Sequence, residues 1–125
     1  MTISVYGIGW LTAAGYGCIG SGVQVSYGPA EGLDTHRQAI FPRPFRNFGR
    51  LDDASRMTAS VVALALRDAA LSPSPTCKQD IGIAGTSREG SLVSDLNYFN
   101  DYVENGRTLS RGNLFIYTLP SSPLG

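Results

Sequence analysis

Two stretches of the chain have apolar residues at helical spacing. The second stretch has them at Leu92, Leu96, Phe99 and Val103. Steps of four, three and four residues place these side chains on one face of a helix. Thr86 or Ser87, in the polar turn before this stretch, can cap the helix, and Gly106 suits a left-handed stop. The pattern predicts a helix between that turn and Gly106.

Residues 52–71 predict the longer helix. Asp52 or Asp53 can cap its N-terminus and suits the positive end of the helix dipole. One face is marked by Ala54, Met57, Val61, Leu64 or Ala65, and Ala69. Six alanines raise the helix propensity of this stretch and keep its surface low, so we expect the helix to lie close to a sheet. The segment 72–75, Ser-Pro-Ser-Pro, is expected to end it.

Short β-prone runs flank these helices. Residues 2–8 alternate loosely and predict a first strand, and residues 81–84 predict a second. Because a helix separates them, a right-handed crossover would make them adjacent, parallel strands of one sheet. Residues 23–27 could form another short strand, and 114–119 a strand or an extended segment docked on a partner. The order of elements predicts an α/β layer fold.

Composition and charge narrow the classes of protein to consider. A chain of 125 residues with 42% hydrophobic residues is one globular domain, 1–125, or part of one. Ten basic residues balance ten acidic ones, so the chain has no general attraction for nucleic acid or an anionic membrane. The apolar N-terminus lacks a leading positive charge and is interrupted by glycines, which argues against a signal peptide or a membrane span. Cys18 and Cys77 form neither metal-ligand spacing nor a disulfide framework, and we expect a reduced, cytoplasmic setting.

The opening glycines partly match a dinucleotide-binding fingerprint. That fingerprint, G-x-G-x-x-G, begins at Gly7 and Gly9 but requires glycine where Thr12 stands. Residues 15–22 are expected to form a loop, whereas the fingerprint needs a helix there. A strand end followed by a flexible turn is the simpler interpretation.

Aromatic and basic residues alternate in residues 41–50. The aromatic ones are Phe41, Phe45 and Phe48, and the basic ones are Arg43, Arg46 and Arg50. Such interleaving can bind single-stranded nucleic acid by stacking and phosphate contacts. Here the neutral net charge and the proline-forced path favour another role, in which the three rings pin a loop to the core. His36, the single histidine, has no carboxylate or cysteine nearby in sequence and receives no role.

Four stretches, taken in order, resemble the N-terminal portion of a β-ketoacyl-acyl-carrier-protein synthase, a condensing enzyme of the thiolase fold. They are the opening segment 5–15, the segment 51–57 running into 63–71, the segment 81–86 with Gly90, and the segment 113–122. The resemblance implies a partial thiolase-like layered fold, with a mixed or parallel sheet and covering helices, that stops before the nucleophile. It also implies decarboxylative condensation of an acyl thioester with malonyl-acyl carrier protein, in fatty acid or polyketide synthesis.

The catalytic residues of that family, a cysteine and two histidines or a histidine and an asparagine, are expected beyond Gly125. Cys18 and Cys77 match neither the position nor the surroundings of the family's nucleophile. We therefore assign no catalytic, cofactor-binding or metal-binding residue and no cofactor, and we expect the chain alone to be inactive. The resemblance further implies an acyl carrier protein as partner of the full-length relative, and a homo- or hetero-oligomer with a ketosynthase-type subunit, contacted through residues 113–120.

Two alternatives stay open. One is a non-catalytic partner subunit similar to the chain-length factors, which lack the cysteine. The other, of a different class, is a small nucleotide- or ligand-binding α/β domain.

Overall fold

The computed structural model describes residues 1–28, 37–72, 80–105 and 112–119. Its strands are β1 (Gly9–Thr12) and β2 (Gly15–Cys18). Its helices are α1 (Arg37–Ile40), α2 (Asp53–Asp68), α3 (Leu92–Glu104) and α4 (Gly112–Ile116), with 3-10 turns at Ile19–Ser21 and Phe48–Arg50. Within these residues the fold is a small mixed α/β arrangement, which agrees with the predicted class.

The sheet of the described residues is one antiparallel hairpin. Strand β1 pairs with β2 in a register that sets Gly9 opposite Cys18 and Thr12 opposite Gly15. The strand predicted at 2–8 is therefore wrong, since pairing begins only at Gly9. The loop predicted at 15–22 is wrong over Gly15–Cys18, because these residues form β2. A two-residue turn lets neighbouring stretches pair at small entropic cost, whereas residues 2–8 have no partner strand in the described part.

The predicted parallel crossover is also wrong. Residues 81–84 and 23–27 form no strand, and the described residues contain no pairing between 2–8 and 81–84. Both runs contain the branched apolar residues that are typical of strands. A strand also needs a hydrogen-bonded neighbour, and the described residues offer none to these runs.

Helix α2 is the element on which the rest packs. Asp52 is its N-cap, as predicted, and accepts a hydrogen bond from the Ser55 N–H at 2.9 Å. Its C-terminus closes in a Schellman motif: the Ala70 N–H bonds the Arg67 carbonyl and the Leu71 N–H bonds the Leu66 carbonyl. The helix thus ends three residues earlier than the predicted 71.

The hairpin approaches α2 through glycines. A Cβ on Gly9 would lie 2.6 Å from both the Ala65 nitrogen and the Val61 carbonyl oxygen, closer than side-chain atoms pack. Gly7 meets Ala65 and Ala69 as closely. The Gly7-x-Gly9 pair, which partly matches a dinucleotide fingerprint, therefore allows backbone to lie directly against a helix.

The core is small. The buried apolar side chains of the described residues are Cys18, Ile40, Phe48 and Leu64. On α2, Ser55, Ser60 and Leu64 are buried, and the Ser60 hydroxyl donates to the Arg56 carbonyl at 2.7 Å. Of the predicted helix face, Leu64 alone is buried, and Ala54, Met57 and Val61 are half-buried along a cleft. Helix α1 is tied to α2 by the Arg67 guanidinium, which donates to the Ala39 carbonyl at 3.0 Å.

Helix α3 confirms the second helical prediction, but its ends and its faces differ from what we expected. Its N-cap is Ser91 rather than Thr86 or Ser87, and Gly106 lies outside the described residues. The predicted apolar face is exposed, whereas Tyr98 contacts Phe115 of α4 at a ring separation of 5.7 Å. The packing of α3 therefore uses the opposite side of the helix.

Helix α4 and the turn that follows it occupy residues 114–119, where a strand or an extended segment docked on a partner was expected. Short apolar runs of this length fit a strand or a helix equally well by periodicity alone. Contacts with α3 favour the helix here: Phe115 lies against Tyr98, and the Ser91 hydroxyl donates to the Thr118 carbonyl at 2.8 Å.

Candidate functional site

A cleft of about 620 Å³ runs along α2. Its lining comes from α2 between its cap and Val62 and from the irregular segment 83–91, and Tyr117 and Leu119 also contribute. We call this feature the α2 cleft. Its floor is apolar, supplied by Met57, Val61, Val62, Ile83, Ala84 and Leu119.

Hydroxyl groups line the rim of the α2 cleft, and most of them are already committed to the fold. The Thr58 hydroxyl donates to the Ala54 carbonyl at 2.9 Å, and the Tyr117 hydroxyl donates to the Arg50 carbonyl at 2.7 Å. The Ser87 hydroxyl accepts a hydrogen bond from the Gly90 N–H at 2.9 Å. These bonds fix the rim, so the cleft offers oriented oxygen atoms above an apolar floor.

Asp52 joins the two helices at the edge of the cleft. One carboxylate oxygen caps α2, and the other accepts the Ser94 hydroxyl of α3 at 3.0 Å. Each carboxylate oxygen thus accepts one hydrogen bond from the protein, and the negative charge disfavours an anionic ligand at this end.

The lining of the α2 cleft combines apolar side chains with hydroxyl groups. The residues that line it include no cysteine, histidine or lysine. An apolar floor with a few oriented hydroxyls is the usual make-up of a site for a small, largely apolar molecule.

A second cluster of interactions lies at the opposite end of α2, around Asp68. Its Oδ2 accepts the Ile8 N–H at 2.9 Å and its Oδ1 accepts the Gly20 N–H at 2.6 Å. These two bonds, with a smaller contribution from the Cys18 side chain, lower the pKa of the Asp68 carboxyl below its usual value. The carboxylate fastens the segment before β1 and the turn after β2 to the same helix end.

Residues 41–50 form a compact aromatic cluster. The rings of Phe41, Phe45 and Phe48 lie 5.3–5.7 Å apart in edge and tilted geometry. The Arg37 guanidinium lies 5.7 Å from the centre of the Phe48 ring and also donates to the Phe45 carbonyl. The three rings pack against one another, and Phe48 is buried. This packing agrees with the interpretation that they pin the loop to the core. Arg43 lines a shallower hollow of about 430 Å³ beside them.

The structure places the sequence-derived candidates apart. Cys18 is buried on β2 near Asp68, away from the residues that line the α2 cleft. Cys77, Lys78 and His36 lie outside the described residues. Among the residues that are described, no group of three histidine, cysteine or acidic side chains could hold a metal ion. Sequence reasoning missed the roles of Asp68 and Ser94, because each depends on a partner more than forty positions away.

None of the helices in the described ranges combines the length and the apolar character needed to cross a membrane. Comparisons with protein-family models, with curated proteins and with solved structures find no match. The resemblance to the ketoacyl synthases therefore rests on the four sequence stretches alone.

Proposed function

We propose that the chain is the N-terminal portion of a β-ketoacyl-acyl-carrier-protein synthase-like protein, a contributor to fatty acid or polyketide synthesis with a thiolase-like layered fold. In this proposal, the chain supplies α2 and the segments around it, and residues outside the chain supply the nucleophile and its histidines. The chain by itself binds and supports; it does not catalyse.

One observation carries the proposal. Two of the four stretches that resemble the family, the opening segment and 81–86, expose branched apolar side chains that a folded domain normally buries. Val5 is 73% exposed, Ile81 47% and Ile83 51%. Within the described residues, no backbone hydrogen bond joins 1–7 or 80–86 to another segment. Apolar, β-prone stretches beside an amphipathic helix are what a layered sheet would use as strands once partners were present.

The reading frame that continues after Gly125 tests this proposal. A cysteine within the next few dozen residues, at the start of a helix, would support a synthase; another residue at that place would support the chain-length-factor-like alternative. A frame that closes at Gly125 with no neighbouring synthase gene would contradict both.

A protein-level experiment separates the chain's role from that of a complete enzyme. Incubation with a radiolabelled acyl thioester, followed by digestion and peptide mapping, should leave Cys18 and Cys77 unlabelled. Stable labelling that disappears in Cys18→Ser or Cys77→Ser would contradict the proposal that the nucleophile lies elsewhere.

A basic segment of this chain supports the proposed carrier-protein partner. Residues 37–51 contain Arg37, Arg43, Arg46 and Arg50 and no acidic residue, so this segment is locally basic although the whole chain is neutral. A carrier protein with an acidic surface would be attracted to it, mainly through the rate of association. The double variant Arg43→Glu/Arg46→Glu should weaken binding of an acyl carrier protein at low salt, whereas Arg88→Glu, outside the segment, serves as the matched control.

The α2 cleft favours a second candidate, a small domain that binds an apolar ligand without the rest of a synthase. Val61→Trp would fill the floor of the cleft and should abolish binding of an environment-sensitive apolar dye. Ile19→Trp, on an exposed turn away from the cleft, is the control. Dye fluorescence that is the same in both variants would argue against the cleft as a binding site.

A further inference from the structure

A hollow of about 430 Å³ lies beside helix α1 and the loop that follows it. We call it the α1 hollow, and its lining residues are Arg37, Gln38, Phe41, Pro42, Arg43 and Pro44. Two arginines and one glutamine thus share it with a phenyl ring and two proline rings. Its volume lies in the range of sites that hold small molecules.

The charge around the α1 hollow has one sign. Residues 37–51 hold four arginines and no acidic residue. In the part of the chain that the structure describes, the ion pair joins Arg56 to Asp53, and no carboxylate there pairs with Arg37 or Arg43. Arg43 is exposed and makes no hydrogen bond with the described residues. Its N–H donors are therefore open to an anionic ligand.

The other arginine of the hollow is held in place by the fold. The Arg37 guanidinium lies 5.7 Å from the centre of the Phe48 ring and donates to the Phe45 carbonyl. That bond uses one of its five N–H donors. Pro42 and Pro44 each fix a backbone φ in the opposite wall. Groups that are already held lose little freedom when a ligand arrives, so binding costs less here than at a mobile surface.

From this arrangement we propose that the α1 hollow binds a small organic phosphate. Its phosphate oxygens contact Arg37 and Arg43, and its apolar part lies against Phe41 and the prolines. Guanidinium groups bind phosphate oxygens through paired hydrogen bonds. A phosphate monoester offers three acceptor oxygens to two guanidinium groups, whereas a carboxylate offers two. The proposal uses residues 37–48 alone and does not depend on the ketosynthase-like proposal.

The geometry of the loop distinguishes this ligand from two larger partners. Single-stranded nucleic acid needs aromatic faces for stacking, and the three phenylalanine rings of the loop pack on one another. An acidic protein surface would be attracted by all four arginines of the segment. The hollow involves Arg37 and Arg43 but not Arg46, so the two kinds of partner make different demands on Arg46.

Four small probes test the proposal on the intact chain by titration followed in amide NMR spectra. They are phenyl phosphate, inorganic phosphate, benzoate and phenol, each at about 50 mM salt. Phenyl phosphate should shift the amide signals of Arg37, Gln38, Phe41 and Arg43 and reach saturation. Inorganic phosphate, which lacks the ring, and benzoate, which lacks the third oxygen, should bind severalfold more weakly. Phenol should produce no saturable shift at these amides.

Variants locate the binding. Arg43→Gln should weaken phenyl phosphate by about tenfold, because charge-assisted hydrogen bonds are lost. Arg46→Gln removes the same charge from the same segment, outside the hollow, and should change the affinity by less than about twofold, since salt screens an exposed charge. Arg43→Lys should recover part of the loss, because it keeps the charge without the paired donors. Circular dichroism checks that each variant keeps the helix content of the parent chain.

Several outcomes would overturn the proposal. Equal losses in Arg43→Gln and Arg46→Gln would show a general attraction for anions, and benzoate binding as tightly as phenyl phosphate would make the ligand a carboxylate. Phenyl phosphate that never saturates, or that shifts only signals elsewhere in the chain, would remove the site. A single-stranded oligonucleotide that binds more tightly than phenyl phosphate and is weakened by both variants would make nucleic acid the occupant.

Discussion

The carboxylate of Asp68 joins the end of α2 to the segment before β1 and to the turn after β2. Its negative charge strengthens both hydrogen bonds. Asp68→Asn leaves one amide oxygen where two carboxylate oxygens now accept the Ile8 and Gly20 N–H groups. We expect a lower urea midpoint at neutral pH and faster hydrogen exchange at both amides. Asp80→Asn, at an exposed position that makes no hydrogen bond with the described residues, is the matched control.

The pH dependence of that effect follows from the direction of the pKa shift. The pKa of Asp68 is lower in the folded chain than its usual value of about 3.9. The stabilisation is therefore complete above the usual value and is lost as the pH falls through the lower, folded-state pKa. The difference in urea midpoint between the parent and Asp68→Asn should shrink over that acidic window. A difference that stays constant down to the most acidic pH at which the chain folds would contradict this account.

Among the described residues, Ala70 is the non-glycine residue whose backbone is left-handed. Its φ is 56°, in the left-handed region that costs a residue with a Cβ about 1–2 kcal/mol. The Schellman motif at the end of α2 requires that conformation, for which glycine is the usual residue. Ala70→Gly should raise the free energy of unfolding by about 1 kcal/mol, partly offset by greater freedom in the unfolded chain. Chemical denaturation measures it, and Ala59→Gly inside α2 should have the opposite sign.

At the scale of elements, the hairpin can lie directly against α2 because Gly7 and Gly9 have no side chain between the two backbones. Gly9→Ala would push a methyl group into the backbone of α2 at Val61 and Ala65, and we expect a loss of about 1–3 kcal/mol from overpacking. Gly49→Ala, where a Cβ would meet nothing within 4 Å, is the control. Equal unfolding free energies for the two variants would show that β1 can move away from α2 without cost.

At the scale of the whole molecule, we expect the proposed oligomer to form through exposed apolar surface. Phe115 and Ile116 of α4 are 51% and 55% exposed, and contiguous apolar surface of this kind tends to become an interface. We expect light scattering to show a mass that rises with concentration, and Phe115→Asp to reduce it. A compact monomer at every concentration, with mass and solubility unchanged by Phe115→Asp, would count decisively against association through residues 113–120.

The sequence by itself determined the two long helices and the cap of the first. Apolar spacing, alanine content and a capping aspartate are local properties, so α2 and α3 could be placed to within a few residues from their own side chains. It also indicated that the phenylalanines of 41–50 serve packing, since prolines and three closely spaced rings already favour a pinned loop.

Only the tertiary structure decided the strands, the faces and the sites. Residues 2–8 have strand-like side chains, yet the pairing goes to β1 and β2, because a strand exists only with a partner. The periodic face of α3 points outward because Tyr98 and Ser94 find contacts on the other side. Asp68 and the α2 cleft depend on residues far apart in the chain, and no local pattern encodes a meeting of distant residues.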